Sequence, residues 1–109
     1  MSSKRELPEL THLQFLVLDI IGTAKLRGRE VREELKSRGV SKTGPAFYQM
    51  MARLEEAKFV VGDYSQEIID GQIIKERCYK VLGSGFSALR QTRDFYAQFA
   101  GGQFNLSFA

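Results

Sequence analysis

One predicted helix carries the side chains of this sequence that are best suited to chemistry. Its exposed surface and the loop before it hold hydrogen-bonding and cationic groups at Lys42, Thr43, Tyr48, Gln49 and Arg53. Lysine and arginine bind phosphate, and an outward glutamine can bind the N6/N7 edge of adenine in the major groove of a duplex. These residue types at this spacing predict a contact with double-stranded DNA.

Two of these side chains also have ordinary structural interpretations. Tyr48 fits a half-buried position at the rim of a helix bundle as well as it fits a contact with a DNA backbone. An exposed glutamine such as Gln49 is most often only solvated. For Lys42 and Arg53, phosphate contact is the favoured interpretation if the protein binds DNA.

The sequence itself defines this helix. Thr43 is suited to accept a backbone N–H at the open end of a helix, and Pro45 fits the first turn, where a missing N–H costs nothing. Successive side chains rotate by about 100° around a helix, so apolar residues at the right spacing share one side. Those residues are Phe47, Met50, Met51 and Leu54. We predict a helix from about residue 43 to residue 57.

The positive charge of the chain is concentrated around this helix. The net charge is +3. Residues 25–58 hold nine Lys or Arg against five Asp or Glu, a net of +4, whereas residues 59–82 hold three against four, a net of −1. Arg27 and Arg29 belong to the basic region and are further candidate phosphate contacts.

Length and composition indicate one ordinary globular domain. At 109 residues, with 43% hydrophobic and 27% charged residues, the chain can build a single core and fits neither a disordered nor a membrane protein. The first residues lack the apolar stretch of a signal peptide. The single cysteine, Cys78, excludes an internal disulfide. We expect a cytoplasmic protein that does not associate with a membrane.

Patterns typical of catalysis and metal binding are lacking in the sequence. There is no glycine-rich phosphate loop, nucleophile elbow or zinc-ligand spacing. His12 is the single histidine and has no second ligand at a useful spacing. Cys78 follows Arg77 and is a candidate oxidisable thiol, which is the weaker interpretation. We expect a protein that is not an enzyme and needs no cofactor or metal.

Three further helices are predicted around the central one. The first follows Thr11, and the second spans about residues 29–38, with Leu26 as a short edge strand between them. The last runs from Phe86 to about residue 100, and its apolar stripe is expected to form a homodimer interface. An aromatic effector pocket between the subunits is an additional hypothesis. The residues of this stripe are Phe86, Leu89, Phe95, Tyr96 and Phe99.

A β-hairpin, or wing, is predicted from the turn signal Asp70-Gly71, which is typical of a type I′ turn. This centre aligns Ile68 with Ile73 and Tyr64 with Arg77. The face expected to pack on the helices carries Val60, Tyr64, Tyr79 and Val81.

The order of these elements predicts a mainly α fold with a small β-hairpin, namely a winged helix-turn-helix with an added C-terminal helix. We divide the chain into an N-terminal arm at residues 1–9, a winged helix-turn-helix domain at 10–82, a dimerisation helix at 83–100 and a tail at 101–109.

Several segments resemble the PadR-type transcriptional regulators. The most specific is the segment 43–48, Thr-Gly-Pro-Ala-Phe-Tyr, which Arg-Leu-Glu at 53–55 and Phe-Val at 59–60 follow. Segments 26–31 and 79–85 are also similar, and the resemblance spans roughly residues 10–97. It implies a compact homodimeric repressor that binds a palindromic operator and is released by a small hydrophobic or aromatic molecule. Thr43, Tyr48 and Arg53 match positions of the family's recognition helix.

Three departures from this family are notable. Lys58 replaces a glycine after the recognition helix, where a left-handed lysine costs about 1 kcal/mol and a different turn is an alternative. Leu82 replaces a capping hydroxyl, which leaves Ser84 as the predicted cap of the last helix. The wing offers only Lys75 and Arg77 to phosphate. It carries four isoleucines, at 68, 69, 73 and 74, which favour an alternative function as a protein-interaction module without DNA binding.

Overall fold

The computed structural model of the protein describes residues 9–100, so all but the last residue of the predicted arm at 1–9, and the whole tail at 101–109, lie outside the described residues. In chain order the elements are α1 (His12–Ile21), β1 (Lys25–Arg27), α2 (Gly28–Ser37), α3 (Gly44–Glu56), β2 (Val60–Ile69), β3 (Gln72–Val81) and α4 (Gly83–Ala100). The strands form one antiparallel sheet in the order β1-β3-β2. The predicted mainly α winged helix-turn-helix architecture is confirmed.

Side-chain caps begin the first and third helices where the sequence predicts. Thr11 accepts a hydrogen bond from the Gln14 backbone N–H, and Gln14 returns one to Thr11, which completes a capping box. Thr43 Oγ1 accepts a bond from the Ala46 N–H at 3.2 Å, and Pro45 lies in the first turn of α3. These caps satisfy backbone N–H groups that have no partner inside the helix.

The core lies where the helices meet one face of the sheet. The predicted inner side of α3 is confirmed, with Phe47, Met51 and Leu54 buried and Met50 half-buried. Leu18 lies off the main apolar stripe of α1 but is completely buried, because α1 contacts α2, α4 and β3 at once.

The wing has the predicted register throughout, including Ile68 opposite Ile73 and Tyr64 opposite Arg77. Its turn residues have positive φ values, 52° at Asp70 and 79° at Gly71, as a type I′ turn requires. One expectation is wrong: Tyr64 is 60% exposed, although Val60, Tyr79 and Val81 on the same face are buried. The helices cover only the base of the ten-residue strands, and Tyr64 lies beyond them on the projecting part.

The chain leaves α3 through a left-handed residue, Lys58, with φ of 67°. The Phe59 N–H donates to the Leu54 carbonyl and the Lys58 N–H to the Glu55 carbonyl, both at 3.0 Å. These two bonds are the Schellman arrangement that usually has glycine at the left-handed position. The alternative of a different turn is therefore wrong.

Replacing Lys58 with glycine is expected to stabilise the protein by about 1 kcal/mol, because glycine adopts the left-handed conformation without a Cβ clash. Urea denaturation measures the change. The control is Ala57→Gly, one residue earlier at φ of −78°, which should lower the stability. An unchanged or lower stability of Lys58→Gly would contradict the argument.

The last helix begins at Gly83, three residues before the predicted start at Phe86. The Phe86 N–H already donates to the Leu82 carbonyl, so no loop separates β3 from α4. Ser84 is not the cap, since its hydroxyl donates to the Lys58 carbonyl. The backbone at Gly85 lies so close to β2 that an added Cβ would be 2.2 Å from the Phe59 carbonyl oxygen. This close approach explains the glycine at position 85.

Candidate nucleic-acid interface

Three of the predicted contacts lie together on α3 and the loop before it. Lys42, Gln49 and Arg53 are exposed and line a groove of about 230 Å³ between α3 and the start of α1. None of the described residues that line this groove is acidic. Within residues 9–100, Lys42 and Arg53 have no ion-pair partner. Their charges are available to a phosphate, and Gln49 lines the same groove.

The side chains of Thr43 and Tyr48 already make contacts within the protein. Thr43 Oγ1 accepts the capping bond of α3, which leaves only its hydroxyl proton to donate elsewhere. Tyr48 is 39% exposed and packs edge-on against Phe47, with ring centroids 4.9 Å apart. Its ring lies over Gly28, where an added Cβ would be 2.6 Å from the tyrosine hydroxyl. Tyr48 therefore occupies a rim position with its hydroxyl fixed at the start of α2.

Arg77 and Lys75 lie on the other side of α3, in a groove of about 680 Å³ between this helix and the wing. Arg77 forms a salt bridge to Glu55 of α3, with Nη2 2.7 Å from Oε1. Its guanidinium carbon lies 5.0 Å from the ring centroid of Tyr64. The side chain passes over Gly62 of β2, where the absence of a Cβ leaves room for the guanidinium. The hydrogen bond to Glu55 raises the pKa of Arg77. Arg77 thus fastens the wing to α3 and is not free.

Two tyrosines, Tyr64 and Tyr79, make up the aromatic part of this groove. Lys75 Nζ lies 5.1 Å from the ring centroid of Tyr64, a cation–π contact at an exposed site. Tyr79 forms the buried floor, and burial, with a contribution from Glu55, raises its pKa to about 12. The groove is therefore aromatic, with its charges largely paired.

The two remaining arginines are also paired. Arg29 Nη2 lies 3.2 Å from Glu76 Oε2, and this hydrogen bond raises the pKa of Arg29. Arg27 contacts Glu67 and also lies near Glu76. The structure therefore does not join Arg27 and Arg29 to the α3 group, because wing carboxylates hold them.

Arg32 was missed by the sequence analysis. Its Nη2 donates to the Lys42 carbonyl at 3.1 Å and so fixes the loop between α2 and α3. With Arg29, Lys36 and Lys42 it lines a cleft of about 270 Å³. The sequence did carry a signal for Arg32: the spacing of the cations at 29, 32 and 36 puts all three on one face of a helix.

Solved structures of other proteins share the fold that carries these side chains. The chain is similar to a PadR family transcriptional regulator from Eggerthella lenta DSM 2243, with a TM-score of 0.67 and 19% identity over 84% of this chain and 77% of that one. It is equally similar to a PadR family transcription regulator from Clostridium difficile R20291, with a TM-score of 0.67 and 17% identity over 87% and 100% of the two chains. The chain has the PadR-type winged-helix fold.

A third structure with this PadR-type fold contains nucleic acid. Bacillus subtilis PadR, solved in complex with operator DNA, matches with a TM-score of 0.59 and 15% identity over 91% of this chain and 52% of that one. No protein-family model matches the sequence, and comparison with curated proteins gives no match either. The structural likeness confirms the fold that the sequence resemblance to the PadR type predicts.

The added helix of this PadR-type fold carries two kinds of apolar residue. Leu89 is only 4% exposed and Phe86 is partly buried against the core, so both pack within the protein's own chain, and their predicted part in a dimer interface stays a prediction. Both lie against the protein's own sheet and helices because α4 starts immediately after β3. Tyr96 and Phe99 are 46% and 45% exposed, and both contact Phe95 edge-on. These three aromatic rings remain available to a partner.

Other kinds of site find little support. Across residues 9–100, no group of three or more His, Cys, Asp or Glu side chains could hold a metal ion. No helix in the same range is long and apolar enough to cross a membrane. Cys78 is buried, with its Sγ 3.2 Å from Ser65 Oγ, and burial shields the thiol from oxidants in solution.

Proposed function

We propose that this protein is a cytoplasmic DNA-binding transcriptional regulator that binds double-stranded DNA through α3. The supporting observation is the exposed set of Lys42, Gln49 and Arg53 on α3 and the loop before it, in which neither cation has an ion-pair partner among residues 9–100. In this function Gln49 reads an adenine edge, and Lys42 and Arg53 bind phosphates. Thr43 contacts the sugar-phosphate backbone at the start of α3, and Tyr48 contacts it from the side of α3 that faces the wing.

A dimer belongs to the same proposal. So few phosphate contacts per subunit give useful affinity only when two subunits bind two half-sites, which implies a palindromic operator. The exposed rings of Tyr96 and Phe99, together with the half-buried ring of Phe95, supply the apolar surface for this contact. We further propose repression as the mode of regulation, since a dimer on an operator blocks other proteins from the same DNA.

The double variant Tyr96→Ala, Phe99→Ala is expected to sediment as a monomer, because it removes the most exposed rings of α4. A double substitution is preferable to removal of α4, since Leu89 of that helix belongs to the core. Tyr64→Ala is the control, because it removes a ring from the wing that is even more exposed than those of α4. A dimer that survives the double substitution would move the interface away from α4.

An effector site is proposed at the same end of the molecule. His12, Phe15, Thr92, Arg93, Tyr96 and Ala97 line a groove of about 510 Å³ between α1 and α4. Its size is within the range of small-molecule sites, and its aromatic walls suit a small hydrophobic or aromatic molecule. Binding there would alter the dimer and release DNA.

Titration of a random-sequence duplex at increasing salt tests the main proposal. We expect binding at low salt that weakens steeply as salt rises, because released counterions drive phosphate contact. The competing function is protein interaction through the wing tip, where Ile68 and Ile73 are 75% and 67% exposed. No binding even at low salt would overturn the regulator and favour the interaction module.

A further inference from the structure

Acidic side chains of the wing lie directly against the cations that precede and begin α2. Arg27 of β1 is opposite Cys78 of β3, and Cys78 is opposite Asp63 of β2, so these strands share an outer face away from the core. Salt bridges join Arg27, Arg29, Glu67 and Glu76 into one network, and Lys25 and Asp63 form a separate pair on the same face. We call these six residues together the wing-base cluster.

Glu76 is the centre of this cluster. Its two carboxylate oxygens accept bonds from Arg29, at 3.4 Å to Nε and 3.2 Å to Nη2. The same carboxylate lies 3.6 Å from Arg27 Nε, and its side chain is only 16% exposed. Glu67 contacts Arg27 from the other side, and Lys25 Nζ lies 3.2 Å from Asp63 Oδ2. Three cations therefore meet three carboxylates, and the net charge of the cluster is zero.

The geometry of these contacts is the one a phosphate would use. A guanidinium edge presents two parallel N–H groups that bind either a carboxylate or a phosphate, and the Nε/Nη2 edge of Arg29 that holds Glu76 cannot bind a phosphate at the same time. Exposed ion pairs are weak, and the Arg29 side chain is 56% exposed, so a phosphate can displace Glu76. Displacement leaves a carboxylate beside the phosphate, which further weakens the contact.

We propose that Glu76 and Glu67 compete with DNA phosphates for Arg27 and Arg29, and so limit the affinity of the protein for DNA of any sequence. This inference rests on the proposed function. It divides the predicted contacts into an available set, Lys42 and Arg53, and a set restrained by the wing. The acidic wing is then a negative determinant of DNA binding.

The decisive variant is Glu76→Gln, which keeps the shape of the side chain and removes its charge. Random-duplex binding should become tighter at low salt, and its salt slope should steepen by up to about 1.8 per subunit as two arginines gain phosphates. The ratio of affinities at about 50 and 200 mM salt should then rise by roughly tenfold per subunit. Adding Arg29→Ala to this variant should reverse much of the gain.

Two further variants distinguish the loss of the Glu76 contacts from a general effect of removing one negative charge. Asp94→Asn removes the same charge from the exposed surface of α4 and should leave the slope unchanged. Glu67→Gln should give a smaller change, because Glu67 contacts only Arg27 in the cluster. Melting temperatures of all variants check that each is folded.

The outcomes that overturn the inference are distinct. If the parent binds DNA and Glu76→Gln has the same slope, the carboxylate does not compete. Equal gains for Glu76→Gln and Asp94→Asn would show an effect of net charge alone. If neither parent nor variant binds at low salt, the proposed function fails and the inference fails with it.

Discussion

Alanine at both Lys42 and Arg53 is expected to weaken binding to every duplex by roughly a hundredfold or more. Both cations are exposed on one groove and have no ion-pair partner within residues 9–100, so they are ready to meet phosphates. A dimer would lose four contacts, which should flatten the salt slope by about 3.6. Fluorescence anisotropy of a labelled duplex at several salt concentrations measures both quantities.

Two further variants make this result specific to α3. Arg90→Ala removes an exposed cation from α4 and should change neither affinity nor slope. Gln49→Ala should keep the salt slope but relax the sequence preference, with a loss of about 1–3 kcal/mol of discrimination at one base pair. Fragments selected from genomic DNA, followed by footprinting, measure that preference. If all variants bind as the parent does, α3 is not the contact surface.

Gly85→Ala is expected to destabilise the protein by about 3 kcal/mol, the upper end for an overpacked site. The added Cβ would lie 2.2 Å from the Phe59 carbonyl oxygen and 2.8 Å from Val81 Cγ1. The Phe59 carbonyl also accepts the Leu82 N–H at 2.9 Å, so it cannot move without loss of that bond. The melting temperature should fall by roughly 10 °C or more.

The matched control lies two residues earlier in the same helix. Gly83 has open space around its backbone, so Gly83→Ala meets no neighbour within 4 Å. Alanine in a helix is favoured over glycine by about 0.5–1 kcal/mol, so this variant should be slightly more stable than the parent. Similar melting temperatures for the two variants would mean that α4 can move away from Phe59, contrary to the close packing described above.

Because Arg27 and Arg29 are paired with wing carboxylates, the basic region seen in the sequence overstates the positive charge that is free to bind DNA. The sequence places them in a basic region and the acidic residues in a later one. In the folded chain Glu67 and Glu76 lie against those arginines, and Glu55 lies against Arg77. Of the predicted phosphate contacts, Lys42 and Arg53 are therefore the ones to test first.

The sequence by itself determined the local features of this fold. The hairpin register follows from Asp70-Gly71, because a two-residue type I′ turn admits one alignment of its strands. The start of α3 follows from Thr43 and Pro45, and its buried side follows from the helical period. The turn at Lys58 was left open by the sequence, which allowed a left-handed lysine or a different turn, and the structure shows the left-handed one.

Only the tertiary structure decided which side chains share a surface. Leu89 is part of the core of this chain, because α4 follows β3 without a loop and folds back on α1. Glu76 reaches Arg29 across 47 positions of sequence, a contact that no local pattern encodes. Periodicity and turn chemistry act over a few residues, whereas ion pairs form wherever packed elements bring opposite charges together. For that reason the sequence alone was enough to predict the recognition helix, whereas the pairing of Arg27 and Arg29 with wing carboxylates was visible only in the folded structure.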